Sequence, residues 1–351
     1  MNAEKAIEIL KKLISIESFS RNESEAADGL QAEIEKLGYA VDRQDKNLVV
    51  RSKHWADAKP VLLFNSHIDT VKPSDKWTKD PFTPVVENGI LYGLGSNDAG
   101  ASVVSLLISF MILDQKEQPY NLIYVASVEE EISGLNGIAS LIEYLPKVDF
   151  AVVGEPTQMH MATAEKGLMV LDCTAMGKSG HAARKEGLNA IYEALPDIEW
   201  FRTHEFSRVS EFLGEVKMTV TQIEAGRQHN VVPDKCTFVV DIRSNELYSN
   251  EELHEIIQSH VKCDVAPRSY RLNSSSTPMD HPAVVKGQQM GRQTYGSPTT
   301  SDQAVLPYYS VKMGPGDSAR SHTADEYILL DEIREGVKIY CELFDGLEIG
   351  K

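Results

Sequence analysis

Four apolar runs in this 351-residue chain each lead straight into an acidic or histidine side chain. Val61 to Ser66 leads to His67 and Asp69, and Leu122 to Ser127 leads to Glu129-Glu130-Glu131. Phe150 to Gly154 leads to Glu155, and Leu91 to Asn97 leads to Asp98. Runs of this kind read as buried strands of a parallel sheet, whose carboxyl ends gather functional groups. An imidazole and several carboxylates placed there suit a cage for divalent cations. A dinuclear hydrolytic site needs hard oxygen and imidazole donors, one carboxylate shared by the ions, and a free base near the water between them. His67 offers the imidazole. Asp69, two residues on in an extended segment, lies on the same side and would hydrogen-bond the other ring nitrogen, fixing the tautomer. Asp98 suits the shared carboxylate. Of the three glutamates, one would bind metal while a neighbour takes a proton from the water. A lone histidine after a strand is usually a satisfied polar residue, and three acidic residues are usually a solvated turn. The ordered set of all four segments favours chemistry.

The elements that must hold these residues follow from periodicity. Ala3, Ile7, Leu10 and Ile14 fall on one face of an amphipathic first helix within residues 1–16. A second helix spans Ser24 to Leu37, stopped by Gly38, and a third runs from Ala99 to Leu113 with Asp98 as its cap. Strands alternate with helices to about Gly167, as a parallel sheet with crossover helices requires. The order then changes to strand (Leu168 to Ala175), helix (Leu188 to Thr203) and strand (Lys217 to Ile223). Strand (Lys235 to Arg243), helix (Asn250 to Val261) and strand (Val265 to Arg271) follow. This is the ferredoxin-like β-α-β-β-α-β sequence. Helical patterns at Ala283 to Thr294 and Leu330 to Phe344 return to the first style. The expected fold is α/β, with a mixed, largely parallel sheet in a catalytic metal-binding domain (1–167 and 274–351). A small α+β domain (168–273) is inserted in it, hinged at Ala164 to Gly167 and Asn273 to Ser276.

With 35 basic against 52 acidic residues the formal charge is −17, which argues against nucleic acid or an anionic membrane as the main partner. Cys173, Cys236, Cys263 and Cys341 are scattered with no C-x-x-C pair, as expected of reduced thiols in a cytoplasmic protein. No signal peptide is expected, and no window is expected to approach the roughly 18 apolar residues of a membrane span.

The motifs carry a resemblance over essentially the whole chain. Ser66-His67-Ile68-Asp69-Thr70-Val71, Gly93 to Gly100 and Gly154-Glu155-Pro156-Thr157 resemble acetylornithine deacetylase and succinyl-diaminopimelate desuccinylase, members of a family of two-zinc amidohydrolases and carboxypeptidases with an inserted lid. Their spacing fits too, at 31 residues from His67 to Asp98, 33 on to Glu131 and 24 on to Glu155. The resemblance implies a zinc-peptidase-like catalytic domain with two Zn2+, for which Co2+ could substitute. His67 and Glu155 would hold one ion, Glu131 and His322 the other, with Asp98 between them. Glu130 would be the general base and Asp69 the partner of His67. A one-residue shift, with Glu129 as base and Glu130 as ligand, is the alternative register. Gly177 to Ala182 resembles the lid segment whose histidine, here His181, enters a partner subunit's site to stabilise an oxyanion. Asn230, Arg243 and the Gly314-Pro315-Gly316 backbone match positions associated with a substrate carboxylate. Where many members have Asp-x-Lys-Gly, this chain has Asp98-Ala99-Gly100-Ala101, without the cation.

The expected activity is hydrolysis of the amide bond of an N-acyl amino acid, of the acetylornithine deacetylase type in arginine biosynthesis, by a homodimer assembled through the lid. Competing readings on the same scaffold are an N-acetyl- or N-succinyl-citrulline hydrolase, a succinyl-diaminopimelate hydrolase and a metallo-carboxypeptidase or dipeptidase. A non-catalytic binding protein would lack the ligands and base, which are all present.

Overall fold

All seven residues of the strand Val61–His67 are buried, and so are all seven of Asn121–Ser127. Neither shows polar–apolar alternation, because each lies inside a sheet covered on both faces. In this computed structural model, which describes residues 2–350, the two pair in parallel along their whole length, from Val61 opposite Asn121 to His67 opposite Ser127. Phe150–Val153 joins Val61–His67 on its other side, and Ser310–Lys312 joins Phe150–Val153, again in parallel. Asn47–Arg51 adds antiparallel beside Asn121–Ser127, with Asp42–Gln44 outside it. On the opposite flank Ala162, in the strand Met161–Glu165, pairs antiparallel with Lys312. The sheet is therefore mixed, with four parallel strands at its centre. Because these four share a direction, they all end on one edge.

The chain divides into two compact units, one of residues Met1–Thr163, Thr277–Tyr295 and Ser301–Lys351 and one of Ala164–Ser276 with Gly296–Thr300; Met1 and Lys351 themselves lie outside the described residues.

In the first unit the helix Ala101–Leu113 is apolar almost all round, and every residue except Ile112 is buried. The helices Ala3–Ile14 and Leu330–Phe344 pack their apolar stripes on it, and Phe64 of the central strand meets Phe344 edge-on at 5.2 Å between ring centroids. The segment Ser96–Leu113 does reach the length and mean hydropathy (1.5) of a membrane span, which corrects the expectation that no window comes close. Its apolar surface is used up by the core, since 83% of it is buried.

The third helix also starts later than its pattern suggests. Ser96 to Gly100 forms a wide irregular turn, and no side chain caps the helix, so Asp98 is not the cap. The Asp98–Ala99 peptide is cis.

In the second unit a four-stranded antiparallel sheet has the order Lys217–Ala225, Lys235–Arg243, Met169–Met176, Asp264–Pro267. The helices Ala190–Thr203 and Asn250–His260 complete the ferredoxin-like arrangement, and their Ala194, Phe201, Leu253 and Ile257 share a core with Leu171, Phe238 and Val240. Burial alternates along Lys235–Arg243, as expected of a sheet covered on one face. The helix begins at Ala190 rather than Leu188 because the Asn189 side chain accepts the Ile191 N–H at 3.0 Å.

Candidate metal centre

The shared edge of the parallel strands carries the candidate donors. His67 is the last residue of its strand; Glu129 to Glu131 follow Ser127 by one turn of chain, and Glu155 follows Val153 by two residues. In-register pairing thus delivers an imidazole and several carboxylates to one place, and the Ser96–Gly100 turn and His322 close the ring from outside the sheet.

The distances define two neighbouring groups that share His67: His67, Asp98 and Glu131, and His67, Glu130 and Glu155, with donor atoms within 4.8 Å of one another in each. His67 Nε2 lies 3.4 Å from Asp98 Oδ1 and 3.6 Å from Glu155 Oε1. His322 Nε2 lies 3.6 Å from Asp98 Oδ2 and 3.0 Å from Glu131 Oε2. Glu130 Oε2 is 4.0 Å from His67 Nε2. His67 is 1% exposed, whereas the His322 side chain is 54% exposed, so the cluster is deep at one end and open at the other.

His67 Nε2 and Glu155 Oε1 are both buried and have no hydrogen-bond partner, a costly state for groups that face an apolar interior and a natural one for groups that face a cation. Like charges 4–5 Å apart repel by roughly 3–4 kcal/mol at an effective dielectric of about 20, a cost that divalent cations would reverse. Hard oxygen donors with two imidazoles suit such ions. Without them, two of the carboxyls favour their protonated form while Asp98, beside His67, is held below the usual carboxylate range. Burial, reinforced by Asp98, pushes Glu155 up to about 8. Burial likewise drives Glu130 well above the carboxylate range, with Glu155, Asp302 and Glu131 adding to it. Burial disfavours a charged His67, yet Asp69 and Asp98 hold it well above the ordinary imidazole value. The Glu131 carboxylate raises His322 to about 9.

Asp69 stays beside His67, as its spacing suggests, and takes on a second part. The nearest atom to His67 Nδ1 is the Asp69 backbone carbonyl oxygen at 2.9 Å, with the carboxylate at 3.4 Å. The carboxylate accepts the backbone N–H groups of Glu130 (3.0 Å) and Glu131 (3.2 Å) and the Ser20 hydroxyl (2.7 Å). It therefore fixes the main chain of the glutamate turn. Glu129 points elsewhere. Its carboxylate accepts the Asn136 side-chain N–H at 2.9 Å and backbone N–H at 3.3 Å, and a Cβ on Gly134 would fall 2.1 Å from Glu129 Oε2. The cluster thus contains Glu130 and Glu131 and leaves Glu129 out.

Of the remaining candidates, Gly314 is buried and already donates its N–H to Thr157 Oγ1 at 3.0 Å, so it has no amide to offer a substrate. A Cβ there would lie 2.5 Å from the Glu155 carbonyl oxygen, so glycine lets this strand end pass close to Glu155. Gly100 has a similar reason to lack a side chain, since a Cβ would lie 2.5 Å from Gly95 O and 2.7 Å from Leu10 Cδ1. There is no room for the missing lysine. His181, Asn230 and Arg243 belong to the second unit. His181 and Asn230 are neighbours across the short pairing of Gly180–His181 with Val231–Val232, where Ala182 N–H donates to Asn230 O at 2.9 Å. Arg243 makes a two-pronged ion pair with Asp241, at 2.8 and 3.1 Å.

Two buried carboxylates have no role in the sequence reading of the site. Asp302 accepts the Asn65 side-chain N–H and the Ser127 hydroxyl, each at 2.8 Å, beneath the two strand ends. Glu326 accepts the backbone N–H groups of Gly95 (2.9 Å), Asn97 (2.8 Å) and Asp98 (2.8 Å). Nothing near Asp302 in the sequence marks it. Glu326 had a signal, an acidic residue four positions past the last histidine and directly before the apolar Tyr327-Ile328-Leu329.

A mixed α/β sheet with two imidazoles and four carboxylates converging at its parallel strand ends defines a metal-dependent hydrolase. The chain belongs to the family described as Peptidase family M20/M25/M40, whose pattern matches residues 63–345. It is 26% identical to a succinyl-diaminopimelate desuccinylase of Dechloromonas aromatica (strain RCB), over 97% of this chain and 98% of that one. Among solved structures it is similar to aminopeptidase PepT of Bacillus cereus, with a TM-score of 0.81 at 20% identity and full coverage of both chains. It is also similar to the YXEP protein of Bacillus subtilis, described as a dinuclear metal-binding peptidase, with a TM-score of 0.74 at 17% identity and 97% coverage of each.

Proposed function

We propose that this chain hydrolyses the amide bond of an N-acyl amino acid with a pair of zinc ions held by His67, Asp98, Glu131, Glu155 and His322. The observation that carries the reading is the Asp98 carboxylate, with one oxygen toward His67 and the other toward His322. Metal ions bound there would supply Lewis acidity and bring a water's pKa toward neutrality. Glu130 stands in the cluster farther from His67 Nε2 (4.0 Å) than Asp98 or Glu155 does, which suits a base that accepts the water's proton and passes it to the leaving amine. Asp69 keeps Glu130 and Glu131 at fixed distances through their amides. The second unit would serve as lid and dimerisation module. In it, His181 Nδ1 accepts the Ala183 N–H at 3.1 Å, so the neutral ring carries its proton on Nε2, the state needed to donate to an oxyanion in a second copy of the chain. Exposed Tyr192, Leu195 and Ile223 on that unit suit burial against such a copy. Asn230 and Arg243 would meet the substrate carboxylate.

The similarity to a succinyl-diaminopimelate desuccinylase supports a succinylated diamino acid as substrate. The motif resemblance to acetylornithine deacetylases supports N-acetylornithine, and with it a place in arginine biosynthesis. The metal-loaded protein assayed against N-succinyl-diaminopimelate, N-acetylornithine, the N-acylcitrullines and unblocked di- and tripeptides tests the reading. Release of succinate or acetate supports it. Cleavage confined to the peptides would replace it with a peptidase, and loss of all activity on chelation is expected in either case.

A further inference from the structure

The turn that carries Asp98 and the segment that carries His322 are fastened together on both sides of the histidine. Upstream of it, the Asn97 side chain accepts the Asp317 N–H at 3.0 Å and donates to Asp317 O at 3.1 Å and Ser321 Oγ at 3.3 Å. Downstream of it, Glu326 takes the three amides of Gly95, Asn97 and Asp98, and its own carbonyl oxygen accepts the Gly93 N–H at 3.1 Å. The fastening continues as a strand ladder, in which Tyr327–Leu329 pairs antiparallel with Ile90–Tyr92. Glu326 is 2% exposed, and its bonds to the turn are to main-chain N–H groups.

We infer that Glu326 is a positioning residue that ties the main chain of the Asp98 turn to the His322 segment, so that the affinity of the outer metal position, on Glu131 and His322, depends on this brace. This rests on the proposed metal reading. A carboxylate is suited to the task because its two oxygens accept from three N–H groups that converge on one buried point. In a glutamine one of those oxygens becomes an NH2 group, which must face either Gly95 N–H or the Asn97 and Asp98 pair. One side of the brace then meets donor against donor, and a buried amide is left unsatisfied. The inner position shares Asp98 but keeps His67 and Glu155, which the sheet holds, so it should be the less affected of the two.

Metal-free full-length chain titrated with Zn2+, followed by calorimetry and elemental analysis, tests the assignment without an activity readout. Wild type should bind two ions per chain. Glu326→Gln should bind the first ion nearly as tightly as wild type does and the second about 10–100-fold more weakly, the usual effect of losing a group that orients metal ligands. Asp325→Asn is the control. The neighbouring Asp325 carboxylate also holds backbone amides, those of Thr78 (2.9 Å) and Lys79 (3.0 Å), in a loop away from the cluster, and its loss should leave both ions in place. An unchanged titration in Glu326→Gln overturns the inference, as does an equal loss of both ions. If that variant fails to fold, amide hydrogen exchange over residues 93–98 in the metal-free wild type decides instead. Protection there supports the brace, and exchange as fast as in an open loop overturns it. A wild type that binds no divalent ion would sink the metal reading, while the exchange result would still report on the brace.

Discussion

The Asp98 carboxylate lies between two imidazoles, with Oδ1 3.4 Å from His67 Nε2 and Oδ2 3.6 Å from His322 Nε2. The two histidines are 255 residues apart in sequence, one at the end of a buried strand and the other on an open loop. A single short side chain therefore faces both imidazoles.

Glu130→Gln should keep its metal and lose turnover by about 10²–10⁴-fold, the range expected for a general base. Glu129→Gln should retain turnover and lose about 1 kcal/mol of stability, since Glu129 serves Asn136. Steady-state rates with metal content measured on the same samples separate the two. A dead Glu129→Gln beside an active Glu130→Gln would exchange their roles.

Asp69→Asn should behave as a metal-affinity variant. Its carboxylate holds the Glu130 and Glu131 amides, and an asparagine can accept from only one side. A fall of about 10–100-fold in metal affinity is expected. It should be read by competition with a chelator of known strength, and activity should recover as added metal saturates the site.

Gly100→Ala should destabilise the fold by about 1–3 kcal/mol, because its Cβ would press on the Gly95 carbonyl and Leu10. Lysine at this position, as in many relatives, should cost more. Denaturant unfolding of the metal-free chain isolates this effect from ligand binding.

Glu33 gives a pH dependence remote from the cluster. Its buried carboxylate meets Lys12 and Lys36, each at 2.8 Å, and these hold its pKa at about 2, below the ordinary 4.5. A carboxyl whose pKa is lower in the folded state contributes stability that is complete above the unfolded value and fades as pH falls from 4.5 toward 2. Both lysines are exposed, so the contribution is about 1–2 kcal/mol after screening. Urea unfolding of wild type and Glu33→Gln should differ by that amount at pH 7 and converge as the solution is acidified.

The parallel sheet and its donors were legible because buried strands leave unbroken apolar runs and the donors stand at their ends. His67, Glu131 and Glu155 could be placed on one edge from the chain alone. What stayed hidden depends on long-range hydrogen bonding. Asp69 stands beside His67 in sequence, so its bonds to Glu130 and Glu131, 61 and 62 residues away, could not be anticipated. Glu326 reaches back 228 to 231 residues to three amides, and a main-chain partner leaves no trace in the side-chain pattern. Asp98 was misread as a helix cap because an acidic residue before an apolar helix is the usual signature of one. The Ser96–Gly100 turn, which moves the helix start to Ala101, has no such signature. Gly314 looked like an open backbone donor, and only its bond to Thr157 shows that the amide is taken.

The buried ladder that aligns His67 with Ser127, residue for residue, works as a ruler. It sets where the inner donors emerge, and it does so from inside the buried sheet. The residues past the strand ends, among them the exposed Ile132 and Leu135, lie outside that ruler. They can change without retuning the distance between donors, so on such a scaffold the surface around the cluster and the metal chemistry can evolve on separate schedules.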